Sequence, residues 1–281
     1  MRVTKENIRQ LQEAMLDILI EFDRACRKMG IKYTLSGGTL LGAVRHGGFI
    51  PWDDDIDVAM LREDYERFLH QGQKYLPDHL FIQHYETDPN YPHNFIKLID
   101  TRTTLVEYVT SNVDMKKCVF IDIFPIDRIP HSRFLRFIDR QLLAFSYFTR
   151  KSLTLKYRQP GTPAVQRIMT VFLYPLALIL GNQRLNSWET ADKIKYNNRS
   201  NYEYTYADNS ILYARELEDS MIMPINIFYE LEEIDFEGYS FLAIKNRDLY
   251  LRKVYGDHYM ELPPEEDRVF KHVFTEMKLT Y

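Results

Sequence analysis

Cysteine is almost missing from this 281-residue chain: Cys26 and Cys118 are its only two, and they form no C-x-x-C or other metal-ligand spacing. That rules out a disulfide framework and a structural zinc as organising principles, and reduced, packed thiols in a cytosolic protein are expected. Excess charge is missing too. With 36 Lys and Arg against 40 Asp and Glu the net charge is −4, so no bulk attraction to nucleic acid exists. No apolar run reaches the roughly 20 residues that cross a bilayer; the longest, 168–180, is interrupted by Pro175. The first residues carry no apolar signal-like stretch and lead straight into an amphipathic pattern, so cytoplasmic residence is expected. Internal repeats and low-complexity segments are lacking as well. Aromatics are plentiful, with 20 Tyr and 17 Phe, and most suit a large core. The length allows one large or two small domains.

One stretch, residues 36–57, organises the rest. It reads SGGTLLGAVRHGGFIPWDDDID, in which five residues are glycine and six are Arg, His or Asp, so little of it can build a core. A short apolar strand over 31–35 precedes the glycine pair Gly37-Gly38, and 39–44 reads as the start of a helix. Glycines let backbone N–H groups approach a ligand closely, and a helix start favours an anion. Gly37, Gly38 and Thr39 are therefore candidate phosphate-binding residues. At the other end, 56–60 reads as a strand, so Asp55 and Asp57 share a face. Carboxylates placed together repel unless a cation lies between them. A hard divalent ion bridging to phosphate is expected, magnesium first and manganese second.

The remaining chain is scaffold with two further signals. Apolar residues at three- and four-residue steps predict a helix over 8–29, with Thr4 as N-cap and Gly30 as C-cap. A helix follows at 61–69, then strands near 80–85, 95–99 and 104–109. Residues 119–127, VFIDIFPID, form a strongly apolar strand with Asp122 inside it. A lone buried carboxylate is costly. A bound metal would satisfy Asp122, and pairing with an arginine is the alternative; Asp127 reads as a turn or cap residue. From 128 to 170 nine Lys or Arg face a single acid, Asp139, with Phe and Leu interleaved. Helices lying on an anionic lipid surface, or an ordinary buried helix pair, both fit that pattern. Residues 199–213, with Tyr202, Tyr204 and Tyr206 alternating, read as loop then strand.

Residues 35–46, LSGGTLLGAVRH, followed by 49–57, FIPWDDDID, resemble the signature of the LicD family, and 236–272 resembles its carboxy-terminal part. The likeness departs at 242–245, where the family commonly has a proline. It implies an α/β (α+β) architecture: a nucleotidyltransferase-like mixed sheet core over 1–128, a basic, apolar, mostly helical insertion over 129–200, and a 201–281 part completing the core. It also implies phosphocholine transfer from CDP-choline or a similar CDP-alcohol to a hydroxyl of a cell-surface glycan, a teichoic acid or lipopolysaccharide precursor, releasing CMP. By that likeness Asp55, Asp57 and Asp122 hold the metal and Lys97 contacts phosphate. Arg45 and His46 are candidate diphosphate contacts, or ties from the loop to an aspartate. Trp52 is the candidate face for a choline ammonium. The acceptor is a lipid-linked or free glycan, with peripheral contact at the inner face of the plasma membrane and no nucleic acid partner. Ribitol- or glycerol-phosphate transfer, and nucleotidyl transfer to a sugar phosphate, would use the same carboxylates. A non-enzymatic glycan- or lipid-binding module would not need them.

Overall fold

The structure is a computed structural model that describes residues 3–4, 6–154, 164–199, 201–206 and 221–279. Helix α1 (Ile8–Met29) buries Leu11, Met15, Ile18, Leu19, Phe22 and Cys26 on one face. Gly30 ends it in the left-handed conformation, φ 61°, where a Cβ would be strained. Its N-cap is Asn7 rather than Thr4: the Asn7 side chain turns back and accepts from the Thr4 N–H at 2.7 Å. The first strand is shorter than expected, because only Thr34–Leu35 (β1) finds a partner.

Helix α2 (Gly37–His46) follows, then β2 (Asp57–Leu61), α3 (Arg62–Gln71), β3 (Leu80–Gln83), β4 (Ile96–Asp100), β5 (Thr104–Glu107) and β6 (Val119–Ile126). Five strands form one sheet in the order β1-β2-β6-β4-β3. Only the β2–β6 pair is parallel, and it sets Asp57 opposite Asp122. The β4–β6 pair is antiparallel and sets Lys97 opposite the same Asp122. The expected α/β class with a mixed sheet is thus observed.

The carboxy-terminal part closes over the 36–57 loop. Strands β7 (Tyr204–Tyr206) and β8 (Ile222–Pro224) pair with each other, as do β9 (Leu231–Phe236) and β10 (Tyr239–Ile244). Residues 207–213, the end of the segment expected as loop then strand, lie outside the described residues. Ile244 N–H donates to Thr34 Oγ1 at 3.0 Å, and Glu237 binds the Gly47 carbonyl and the Phe49 N–H through its backbone and side chain. Helix α6 (Arg247–Tyr255) and strand β11 (Phe274–Lys278), paired to β5, complete it.

Between β6 and β7 lie α4 (Arg133–Lys151) and α5 (Ala164–Ile194). Pro175 does not break α5; the break is at Gly181, φ 74° and ψ 161°. The arginines expected to face lipid headgroups turn inward instead. Arg136 and Arg140 are buried, Arg136 donates to the Pro130 and His131 carbonyls, and Arg150 pairs with Glu189 at 2.8 Å. Asp127 is no turn residue: it is buried, and accepts from Arg62 Nε at 2.8 Å and Asn197 Nδ2 at 2.6 Å.

Candidate active site

The β2–β6 register brings Asp57 and Asp122 side by side, close to the Gly37 turn that opens α2. Thr39 Oγ1 accepts the Asp57 N–H at 2.8 Å, and the Ile56 carbonyl accepts the Asp122 N–H at 2.8 Å. These bonds fix the backbone on which the two carboxylates stand. Asp53, Asp54 and Asp55 approach from the preceding loop, all buried. Gln12 of α1 holds that loop by donating to the Asp53 carbonyl at 3.0 Å.

Six carboxylates therefore meet: Asp53, Asp54, Asp55, Asp57, Asp122 and Glu107. Three cations oppose them. Lys97 binds Glu107 at 2.8 Å and lies 3.9 Å from Asp122. His272 donates its backbone N–H and directs Nδ1 to Asp54, both at 2.9 Å. Lys271 lies within the field of Asp53, Asp55 and Asp57, which together raise its pKa against the opposing effect of burial. The residual negative charge shows in the carboxyls. Burial first, then the charges of Asp55 and Asp122, push Asp57 well above the ordinary range. Burial likewise raises Asp122 to about 7, with Lys97 opposing and Glu107 and Asp55 adding to it. Asp53 is raised by burial and by Asp55.

Asp122 Oδ1 is buried without a hydrogen-bond partner. An orphaned carboxylate oxygen amid uncompensated negative charge fits a bound divalent cation, whose oxygen ligands are carboxylates of this kind. Among the described residues, the three ligand atoms found within 4.8 Å of one another belong to Asp54, Asp55 and His272. Burial lowers the pKa of His272, but the Asp54 bond and the Asp55 charge raise it to about 9 in the metal-free cluster. Asp54–His272 is an ion pair that braces the loop. Asp55, Asp57 and Asp122 sense one another's charge and remain the metal-ligand candidates.

The other expected contacts occupy different positions. A Cβ at Gly37, φ +52°, would lie 2.8 Å from Asp57 Oδ2, and one at Gly38 would lie 2.6 Å from Asp53 Oδ2. The glycines thus make room for carboxylates, and the Gly37 N–H is already bonded to Tyr250 Oη at 3.0 Å. Thr39 serves the Asp57 backbone. Lys97 is buried against Glu107 and the Phe120 ring, 3.2 Å away, so it offsets acidic charge inside the sheet. Arg45 donates to the Tyr259 and Glu261 carbonyls at 3.1 and 3.0 Å, tying α2 to the tail. His46 is held low by burial and by Arg45, hence neutral. Arg268 lies 5.6 Å from the ring centre of Trp52, the residue expected to face a choline ammonium.

A cleft of about 140 Å³ opens beside Asp57. Gly37, Gly38, Lys271 and the aromatic side chains of Phe124, Tyr206, Tyr250 and Tyr255 line it. Lys271, Tyr250 and Tyr255 escaped the sequence reading, because a lone Lys and scattered tyrosines carry no spacing signal and only the tail's overall likeness pointed to their region; Tyr206 was legible only as one of the alternating tyrosines.

Three comparisons with known proteins bear on this site. The LicD/FKTN/FKRP nucleotidyltransferase-domain profile matches residues 30–147. The lipopolysaccharide cholinephosphotransferase LicD of Haemophilus influenzae is 30% identical over 275 residues, 96% of this chain and 97% of that protein. A 35-residue stretch, 12% of this chain and 7% of the relative, is 57% identical to the ribitol 5-phosphate transferase FKRP of Homo sapiens.

Proposed function

The chain belongs to the LicD family, and we propose that it transfers phosphocholine from CDP-choline to a hydroxyl of a cell-surface glycan, releasing CMP. One observation carries the reading: Asp57 and Asp122 stand at one register beside a cleft that holds a cation, Lys271, and an aromatic wall. Full-length similarity to a cholinephosphotransferase supports the choice of alcohol.

In this reading the donor lies in the cleft. Lys271 faces its diphosphate. Phe124, Tyr206 and Tyr255 surround the quaternary ammonium, which aromatic faces attract by about 0.5–2 kcal/mol each. These residues replace Trp52. Asp55, Asp57 and Asp122 would hold magnesium or manganese, and that ion would supply positive charge against the diphosphate and the departing CMP. Ser36 and Tyr250, whose hydroxyls are 2.9 Å apart, keep the Gly37 turn in place. The acceptor oxygen attacks the β-phosphorus, the bond from that phosphorus to the CMP oxygen breaks, and CMP leaves with the electron pair. The acceptor's proton passes to a carboxylate of the acidic cluster acting as general base. Positioning and charge neutralisation do most of the work in such a transfer. The lipopolysaccharide-directed relative supports a lipid-linked glycan acceptor.

The short match to a ribitol 5-phosphate transferase supports a second reading in which the donor is CDP-ribitol. Incubating the full chain with CDP-choline, CDP-ribitol and CDP-glycerol, each with and without EDTA, tests both. CMP released from CDP-choline alone, and abolished by EDTA, is the expected result. Preferential release from CDP-ribitol replaces the first reading with the second.

A further inference from the structure

Helix α4 is an amphipathic helix turned inside out. Its buried face holds Arg136, Arg140, Ser146, Thr149 and Arg150 with one apolar residue, Leu143, while Phe134, Leu135, Phe137, Ile138, Leu142 and Phe145 are exposed. The inner face is satisfied by protein: Ser146 donates to the Leu185 carbonyl and Arg150 pairs with Glu189. In a water-exposed helix the polarity runs the other way. The first half of α5 repeats the anomaly, with Ile168, Val171, Phe172, Leu178 and Ile179 exposed, Phe172 by 79% and Ile179 by 75%. An exposed apolar surface of that extent on a monomer marks an interface.

We infer that this surface docks on a lipid bilayer by shallow apolar insertion. The charges favour lipid. No acid occurs in 164–180, and the only acid in α4, Asp139, is half-buried and paired with Lys195. The exposed charges of α4 are basic, Arg133 at its start and Lys151 at its end, with the phenylalanines between them. Basic ends around aromatic and aliphatic side chains suit the headgroup boundary of an anionic leaflet. Among the described residues no helix is long and apolar enough to cross a membrane, so the contact lies on the surface. The preference for lipid over a second copy rests partly on the lipid-borne acceptor proposed above; the apolar surface itself does not. This replaces the arginine-driven docking expected from charge counts, since Arg136 and Arg140 are buried.

The test uses the full chain in flotation with vesicles of phosphatidylcholine alone and of phosphatidylcholine with phosphatidylglycerol. Binding to both is expected, several-fold stronger to the anionic ones, with most of it surviving high salt because apolar burial is not screened. The double variants Leu142→Asp with Phe145→Asp, and Phe172→Asp with Ile179→Asp, should each weaken binding at least tenfold. Melting temperature and CMP release with a soluble acceptor should stay unchanged. Absence of wild-type flotation, or variants that float as well as wild type, overturns the inference. So does a wild-type dimer in light scattering that the aspartates split, which would make a second copy the occupant. If soluble-acceptor transfer fails while flotation and its loss in the variants hold, only the proposed reaction falls.

Discussion

Replacing Asp122 with asparagine should stabilise the metal-free protein and abolish its function. The folded state holds the Asp122 carboxyl at about 7 against an ordinary 3.8. Unfolded chains ionise it at the lower value, so stability is lost as pH rises from about 4 and the full penalty is present above about 7. That displacement corresponds to ~4 kcal/mol. An asparagine amide in the same buried place leaves a polar group imperfectly satisfied, at ~1–3 kcal/mol. The net gain is about 2 kcal/mol, or roughly 4–8 °C in Tm for a chain of this size. Differential scanning fluorimetry in EDTA at pH 8 should show that rise, and it should shrink as the pH approaches 4. Adding magnesium reverses the order. At a hundred times its Kd a ligand adds ~2.7 kcal/mol to the wild type, whereas the Asp122→Asn variant lacks the charged oxygen that would bind it. A variant no more stable than wild type in EDTA, combined with a wild type indifferent to magnesium and manganese, would refute the reasoning.

The remaining predictions concern the Gly38 turn, the Gly30 cap, the buried Asp127 pair and the cleft wall. Gly38→Ala drives a Cβ to within 2.6 Å of Asp53 Oδ2 and should lower CMP release at least tenfold. Gly30→Ala strains a left-handed cap in open space, so it should cost ~1 kcal/mol in urea unfolding with turnover per folded molecule unchanged. Asp127→Asn leaves the buried Arg62 with the half-exposed Glu66, 3.1 Å away, as its remaining counter-charge and should cost ~3 kcal/mol at pH 7, the low end for breaking a buried pair. Burial raises the Asp127 pKa, but Arg62 and Asn197 outweigh it and hold it below 3.8, so the wild type loses this contribution only as pH falls through that lowered value. Denaturation at pH 7 and pH 3 should therefore show the two proteins converging at the lower pH. Tyr255→Leu should raise the KM for CDP-choline roughly 5–30-fold, the effect of ~1–2 kcal/mol of cation–π attraction, and that for CDP-ribitol far less; equal effects on both donors would remove Tyr255 from the ammonium site.

Local signals in the sequence located the site, and tertiary contacts then reassigned its parts. The isolated charge of Asp122 in an apolar strand was legible, because it depends on strand geometry alone; the period-two pairing of Asp55 with Asp57 was not, since β2 begins at Asp57 and Asp55 comes from the loop before it. Nor was the use of Gly37 and Gly38. Glycine before a helix suggests phosphate whether the space is filled by a ligand or by a carboxylate from a loop some 15 to 20 residues away, and only the packed loop decides. Arg45 and Lys97 read as anion contacts for the same reason: which carbonyl or carboxylate claims a cation depends on chain distant in sequence, here Tyr259 and Glu107. The basic composition of 128–170 likewise gave no direction. Arginines at 136, 140 and 150 lie on one helical face, and that pattern is compatible with the face pointing to solvent or to protein. The Glu189 and Pro130 acceptors turned it inward.

The central claim is that this chain moves an intact phosphoalcohol from a cytidine diphosphate donor to a hydroxyl. Phosphorus NMR of CDP-choline incubated with the full chain, magnesium and a glycan acceptor reads it directly. The account predicts that the diphosphate resonances are replaced in equal amounts by CMP and by a new phosphodiester, and that Asp57→Asn leaves the donor intact. A diphosphate that persists under all conditions, or one cleaved just as fast by Asp57→Asn, would contradict it.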